Sequence, residues 1–311
     1  MSSSVNSSSF SFTFTAFLDP GPLRVLWFLM LLLLYVTTVG SSLLLIVVIA
    51  VDRTLHQPMF LLLLSLMVNQ LVGSAAIFPF LLLQMLQDEH SISHTFCFVQ
   101  IFFLFSYGNV QILTLAAMAY DRFVAICFPL QYHNRLSSQK ALKMVTGIWI
   151  FVLLEVGFMI SLSAPLSLCG NQIHKVYCDN YSVVKLACGN TSMNNVYGLL
   201  YTCLVLLFVP ALIIYSYARI IRVCLNGCKR TRHKALSTCA PHVASLLNVS
   251  LACFCELVTT RFDARSVPSG ARVFMSLYFL TCPPLFDPLV YGLSMSKVRC
   301  SCRRLLFPER R

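Results

Sequence analysis

The chain has 311 residues, of which 58% are hydrophobic and 11% charged, and its mean hydropathy of +0.77 is more than the surface of a soluble domain of this size tolerates. It reads as a polytopic membrane protein: a spanning helix needs about 20 apolar residues, so seven of them with short loops leave no room for a soluble domain. The net charge of +12 would suit a nucleic-acid partner if it lay on one face, but it is divided among loops between apolar runs, which excludes that class.

The first nine residues are Ser-rich, with no basic start and no small-residue cleavage site before the first apolar run, so no cleaved signal peptide is expected. Asn6-Ser7-Ser8 is an N-glycosylation sequon, used only if residues 1–22 form a tail outside the cell. A first helix is predicted from Leu23 to Val51, with Trp27 as an interfacial anchor and Asp52-Arg53 stopping it. Pro58 suits the first turn of a second helix reaching Leu86. A third is predicted from Phe96 to Arg122, a fourth from Lys140 to Ser163, and a long loop runs from Ala164 to Asn194. The fifth takes Val196 to Val223, the sixth Lys234 to Thr260 and the seventh Gly270 to Leu293. The tail, 294–311, is suited to a short amphipathic helix on the membrane face, with Cys300 and Cys302 as candidates for acylation.

On these spans Arg53, Arg122, Arg135, Lys140, Lys143, Arg219, Arg222, Lys229, Arg230, Arg232, Lys234, Lys297, Arg299, Arg303, Arg304, Arg310 and Arg311 share one side. Only Arg24, Lys175, Lys185, Arg261, Arg265 and Arg272 lie on the other. That bias sets the N-terminus outside and the C-terminus inside, where the basic side faces anionic lipid. The expected fold is an all-α seven-helix bundle, residues 23–293, as one transmembrane domain. Of 14 cysteines, Cys97, Cys169, Cys178 and Cys188 lie in reach of an oxidising compartment, and sequence alone leaves their three pairings open. No paired His or C-x-x-C spacing makes a metal site, and no nucleophile motif, H-E-x-x-H or phosphate loop points to an enzyme or to a bound cofactor.

Asp121-Arg122 closes more than twenty apolar and small residues, placing a charged pair where membrane core gives way to water. The stretch around it, Met118-Ala119-Tyr120-Asp121-Arg122-Phe123-Val124-Ala125-Ile126-Cys127, resembles the end of the third helix in odorant receptors, a branch of the rhodopsin-like G-protein-coupled receptors. Four more stretches agree in kind and order: His56-Gln57-Pro58-Met59-Phe60, Ser216-Tyr217, Lys234-Ala235-Leu236-Ser237-Thr238-Cys239-Ala240-Pro241-His242 and Pro284-Leu285-Phe286-Asp287-Pro288-Leu289-Val290-Tyr291.

The resemblance implies a receptor that binds a small odorant in the outer half of the bundle and activates a heterotrimeric G protein of the olfactory, adenylyl-cyclase-stimulating type, in the plasma membrane of sensory cilia. It implies the pairs Cys97–Cys178 and Cys169–Cys188, with Cys97–Cys188 as the rival. It makes Asp121, Arg122, Tyr217, Asp287, Pro288 and Tyr291 the coupling and switch residues. The ligand positions it points to are Leu104, Phe105, Gly108, Asn109 and Ile112 on helix three and Tyr201 and Val205 on helix five. They continue with Ser250, Cys253, Phe254 and Leu257 on helix six and Leu277 and Thr281 on helix seven. Leu104 stands where amine receptors of the wider superfamily carry Asp, and Thr281 where visual pigments carry the retinal-bearing Lys, so a neutral ligand is expected.

Several positions depart from the family pattern. Gly40-Ser41 replaces Gly-Asn, Phe123 stands where Tyr is commoner, and Val249-Ser250-Leu251 replaces Phe-Tyr-Gly. The helix-two acid is replaced by Gln70, while helix seven carries Asp287 where Asn is usual, as though the carboxylate had crossed the bundle. Ser41, Asn69, Gln70 and Gln111 are its expected neutral partners, and the carboxylate is suited to holding a sodium ion with water or to taking a proton.

Overall fold

The computed structural model describes residues 10–17, 23–226, 229–261 and 269–306. The sequon at Asn6, most of the loop expected between helices six and seven, and Phe307 lie outside the described residues.

Helices one to four span Arg24–Val51, Pro58–Met85, His94–Cys127 and Ser138–Ser163. Side-chain caps explain where two of them begin. The Ser93 hydroxyl accepts from the backbone N–H of Phe96 at 3.4 Å and the Ser137 hydroxyl from that of Lys140 at 3.3 Å, so helices three and four each start two residues before the expected point. Helix three also continues five residues beyond Arg122, which places Asp121-Arg122 inside a helical turn.

Helix five is continuous in path but not in pitch: α-helix Ser192–Cys203, a π-helical stretch Leu204–Phe208, then α-helix Val209–Leu225. Neither α-helical piece alone is long enough to cross a membrane, whereas six other helices are by length and hydropathy. Helix six runs Lys229–Arg261, earlier than the expected Lys234, and helix seven Ser269–Ser294. A short helix, Ser296–Leu306, follows with Val298 buried against helix one and Arg303 and Arg304 exposed.

The bundle is built around helices two and three, whose most apolar windows are 61% and 56% buried, against 28% for helix one and 17% for helix four. Helices one and four therefore turn most of their surface outward to lipid. At the end of the bundle where helix three begins, the chain's first described segment forms a strand rather than a loose tail. β1, Ser11–Phe14, lies between β2, Ser91–Ser93, and β3, Gln172–Ile173. It pairs antiparallel with β2 (Phe12 opposite Ile92) and parallel with β3 (Phe14 opposite Ile173). The alternation Ser11-Phe12-Thr13-Phe14 has the period of two that a half-buried strand needs, and Phe12 and Phe14 are both buried. Phe12 stacks on His94 at 5.9 Å and Phe14 meets Phe80 edge-on at 5.7 Å, so the strand is fastened to the bundle by ring contacts as well as by its ladder.

The long loop after helix four is a lid below this sheet. Cys97 at the start of helix three is bonded to Cys178, and Cys169 to Cys188. Gln100 accepts from the Cys178 backbone N–H at 2.9 Å, a second tie between lid and helix three. At the opposite end Asp52 ends helix one. Its carboxylate accepts from Thr54 N–H at 3.0 Å, Thr54 hydroxyl at 2.7 Å and the Ser301 hydroxyl of the tail helix at 2.5 Å. These hydrogen bonds, that from Ser301 foremost, hold the Asp52 carboxyl down at about 2.

Two substitutions test this end of the molecule. Deleting a buried Phe side chain costs about 3–5 kcal/mol, so Phe12→Ala is expected to reduce surface delivery sharply, while Thr13→Ala, on the exposed side of the same strand, leaves it within twofold of the parent. Equal delivery of both variants, measured by antibody staining of unpermeabilised cells, would show that the strand contributes nothing. Losing a native disulfide costs about 2–5 kcal/mol, so Cys97→Ser and Cys178→Ser are expected to remain inside the cell, and non-reducing peptide mapping is expected to join Cys97 to Cys178.

Candidate functional site

Beneath the lid lies a cavity of about 220 Å³ between helices three, four, five, six and seven. Helix three contributes Leu104, Phe105, Gly108, Asn109 and Ile112, helix five Tyr201 and Val205, and helix six Cys253 and Leu257, all positions expected from sequence. Val205 belongs to the π-helical stretch, where the extra residue per turn shifts the facing of the side chains that follow. Gly108 leaves room for Phe279: a Cβ at residue 108 would lie 3.0 Å from the tip of that ring.

Four expected positions fall elsewhere. Ser250 and Phe254 are on the outward face of helix six, because Val249, Ala252 and Cys253 are the positions its phase turns inward. Leu277 packs in the cluster of Leu31, Phe78 and Leu280, and the Thr281 hydroxyl donates to the Leu277 carbonyl at 2.7 Å. From helix seven, Phe279 and Leu280 reach the cavity instead.

Other lining residues lie outside the expected positions. Met159 comes from helix four, Tyr177, Asp179 and Tyr181 from the lid, Tyr197 from helix five and Glu256 from helix six. The lid and helix six are joined by charge: Lys175 donates to Glu256 at 2.7 Å and lies 3.5 Å from Asp179, and the Tyr177 hydroxyl donates to the second Glu256 oxygen at 2.5 Å. Burial alone would push the Lys175 ammonium down, but Asp179 and Glu256 outweigh it and hold it above its usual range. Burial, reinforced by the same acids, pushes the Tyr177 phenol well up, so it stays a donor. A second carboxylate, Glu155 on helix four, accepts from Tyr197 at 2.9 Å and Asn109 at 3.2 Å.

Deeper in the bundle Asp287 is fully buried. One of its oxygens accepts from Gln70 at 2.8 Å and Gln111 at 2.6 Å, the other from Ser245 at 2.6 Å. Gln70 also donates to Gln111 at 3.0 Å, and Asn69 donates to Gln111 at 3.4 Å and to the Tyr107 carbonyl at 2.9 Å. Of the expected partners Gln70 and Gln111 touch the carboxylate, Asn69 stands one bond away, and Ser41 is spent on the Thr37 carbonyl of its own helix at 2.7 Å. Ser245, unexpected from sequence, brings helix six into the same network. Among the described residues no three His, Cys, Asp or Glu side chains converge to hold a metal.

At the end opposite the lid Arg122 donates to its neighbour Asp121, with the Nε contact at 2.9 Å, and Tyr132 donates to the other Asp121 oxygen at 2.8 Å. Asp121 is fully buried by this arrangement. Tyr217 and His242 join helices five and six through the phenol and Nδ1. His242 Nε2 donates to the Leu115 carbonyl of helix three at 3.0 Å, which leaves Nδ1 to accept from Tyr217. Pro288 is buried, and Tyr291 is fully buried against Leu45, Leu66 and Met118 in the main core.

The profile of one family, described as olfactory receptor, matches residues 31–309. The chain is 33% identical over 264 residues to human olfactory receptor 10A6, covering 83% of this chain and 82% of that one. It is 32% identical over 261 residues to human olfactory receptor 52D1, with 83% and 82% covered, and 30% identical over 260 residues to human olfactory receptor 52K1, with 81% and 80% covered. With the bundle, the lid disulfide and a match of this extent, the chain belongs to the olfactory receptor family, which are G-protein-coupled receptors rather than enzymes.

Proposed function

We propose that the cavity under the lid is where this receptor takes a small odorant with a substantial apolar part, and that Asp121 and Arg122 at the other end govern its heterotrimeric G protein. The observation that carries the reading is the cavity of about 220 Å³ beneath the lid, walled by Leu104, Phe105, Ile112, Val205 and Leu257, with phenol and amide groups and the lid-bound carboxylates Asp179 and Glu256 at its edge. That is the chemistry of a site for a small, mainly apolar molecule. The lid end faces outside and the Asp121 end inside, in keeping with the bias of Lys and Arg between the loops. The G protein is of the adenylyl-cyclase-stimulating olfactory type, and the membrane is that of sensory cilia.

Between the two ends, Asp287 is the element whose arrangement ligand binding would bias. Its donors sit on helices two, three and six, so any movement of helix six draws Ser245 away from a carboxylate that is costly to leave unmet. Of the residues expected to couple, Tyr217 packs in the cluster of Phe123 and Ile126 and Tyr291 in that of Met118, while Pro288 directly follows Asp287 in helix seven. A sodium ion with water is one way to compensate the carboxylate and a proton is another.

A ligand panel read by a cyclic-AMP reporter, with nucleotide exchange on purified receptor as the direct measure, tests the reading; failure of every small molecule to accelerate exchange would overturn it. Arg122→Ala is expected to abolish signalling with surface delivery nearly intact, and Phe123→Tyr to be mild; equal signalling per surface receptor for Arg122→Ala would remove Arg122 from the mechanism. Tyr132→Phe removes a hydrogen bond to a charged group, a contribution of about 1.5–3 kcal/mol, and is expected to raise basal signalling by loosening Asp121. Asp287→Asn is expected to change basal activity or yield strongly, and adding Gln70→Asp to restore much of the loss. A double variant no better than the single would show that the two positions do not share one role.

A further inference from the structure

We propose that Glu155 is a cation-binding subsite of the cavity, and that it selects small aliphatic or aromatic amines whose ammonium is set against this carboxylate and the rings of Tyr197 and Tyr201. The proposal rests on the cavity being the ligand site. It also revises the expectation of a neutral ligand, which rests on Leu104 and Thr281 standing where other receptors of the superfamily carry an amine-binding Asp and a retinal-bearing Lys.

The carboxylates around the cavity, Asp179 and Glu256 in its lining and Glu155 behind the lining residues Asn109, Tyr197 and Tyr201, differ in what already meets them. Glu256 and Asp179 share the Lys175 ammonium. Glu155 accepts only from neutral donors: Tyr197 at 2.9 Å on one oxygen and Asn109 at 3.2 Å on the other, with the Tyr201 hydroxyl close by. Among the described residues no Lys, Arg or His side chain is bonded to it. A carboxylate at membrane depth with no countercharge is costly to keep, and phenol and amide donors offset only part of that cost.

The donors are also the cavity wall. Asn109, Tyr197 and Tyr201 all line it, and so does Met159, one helical turn from Glu155. A ligand group that displaced one of these hydroxyls would therefore meet the carboxylate directly. The rings suit a cation as well. Tyr197 and Tyr201 stack with centroids 6.3 Å apart and planes 17° apart, and Phe158 meets Tyr197 edge-on at 5.2 Å. An ammonium is drawn both to a carboxylate and to aromatic faces, whereas an alcohol gains little from either. Leu104, Phe105 and Val205 are left for the apolar part of the ligand.

The experiment uses the full-length receptor with a cyclic-AMP reporter and matched pairs of ligands, such as hexylamine with hexanol and phenethylamine with phenethyl alcohol. In at least one pair the amine is expected to act at a tenfold lower concentration than the alcohol. Glu155→Gln is expected to raise the effective amine concentration at least tenfold and to leave the alcohol response within twofold, at equal surface staining. Should Glu155→Gln not reach the surface, the ratio of amine to alcohol potency in the parent decides alone. Alcohols as potent as their amines, or a loss in Glu155→Gln that is equal for both, would overturn the subsite while leaving the cavity as the ligand site. Silence of every pair on a surface receptor that answers another small molecule would overturn the subsite alone, and silence to the whole ligand panel would overturn both.

Discussion

A single buried carboxylate joins four helices. Asp287 on helix seven takes hydrogen bonds from Gln70 on helix two, Gln111 on helix three and Ser245 on helix six, and it is fully buried among them. Once helix seven presents a carboxylate inward, the helices around it must turn amides and a hydroxyl toward it, because an unmet charge at that depth costs several kcal/mol even after relaxation. That demand, together with the apolar packing around it, holds one face of each of helices two, three and six toward helix seven. The network also explains why a small shift of one helix is felt by the others: the groups are shared, with Gln111 both accepting from Gln70 and donating to Asp287.

Much of this was legible in the sequence, for physical reasons that can be named. Long apolar runs broken by basic loops leave few alternatives to spanning helices, and Pro58 and Asp52 act at helix ends through local chemistry that a single residue reveals, whereas the Ser93 cap starts helix three two residues before the expected Phe96. Gln70 and Gln111 are marked by their places in the family pattern, where the usual helix-two acid is missing and helix seven carries Asp287, and both donate to that carboxylate. Helix phase was harder. Along helix six Ser250 and Phe254 were counted inward from a motif, yet Val249, Ala252 and Cys253 are the residues turned in, because the facing of a helix is decided by its neighbours and not by its own sequence. Lys175, Tyr177 and Glu256 were invisible as a group, since a loop residue and a helix residue about 80 positions apart carry no local sign of meeting.

The two carboxylates above Asp287 show how alike charges are kept apart by environment. Glu256 is answered by an ammonium carried on the lid, and Glu155 by phenol and amide groups on helices five and three. One therefore ties the lid to helix six, while the other lies behind the wall residues Asn109, Tyr197 and Tyr201 that separate it from the cavity. Sequence position on two different helices gave no hint of this division.

β1 has a consequence for biosynthesis. It is the middle strand of its sheet but the first to leave the ribosome: its antiparallel neighbour emerges roughly 80 residues later and its parallel one roughly 160. Until helices two to four have been inserted and Cys97 has met Cys178, the Phe12 and Phe14 rings have no surface to cover them and the strand's backbone has no ladder to join. The newly made chain thus holds an uncovered apolar segment through more than half of its synthesis, the kind of surface that folding helpers bind. A tag or an extension fused ahead of residue 10 would sit directly upstream of that waiting strand and would influence how many chains complete the sheet.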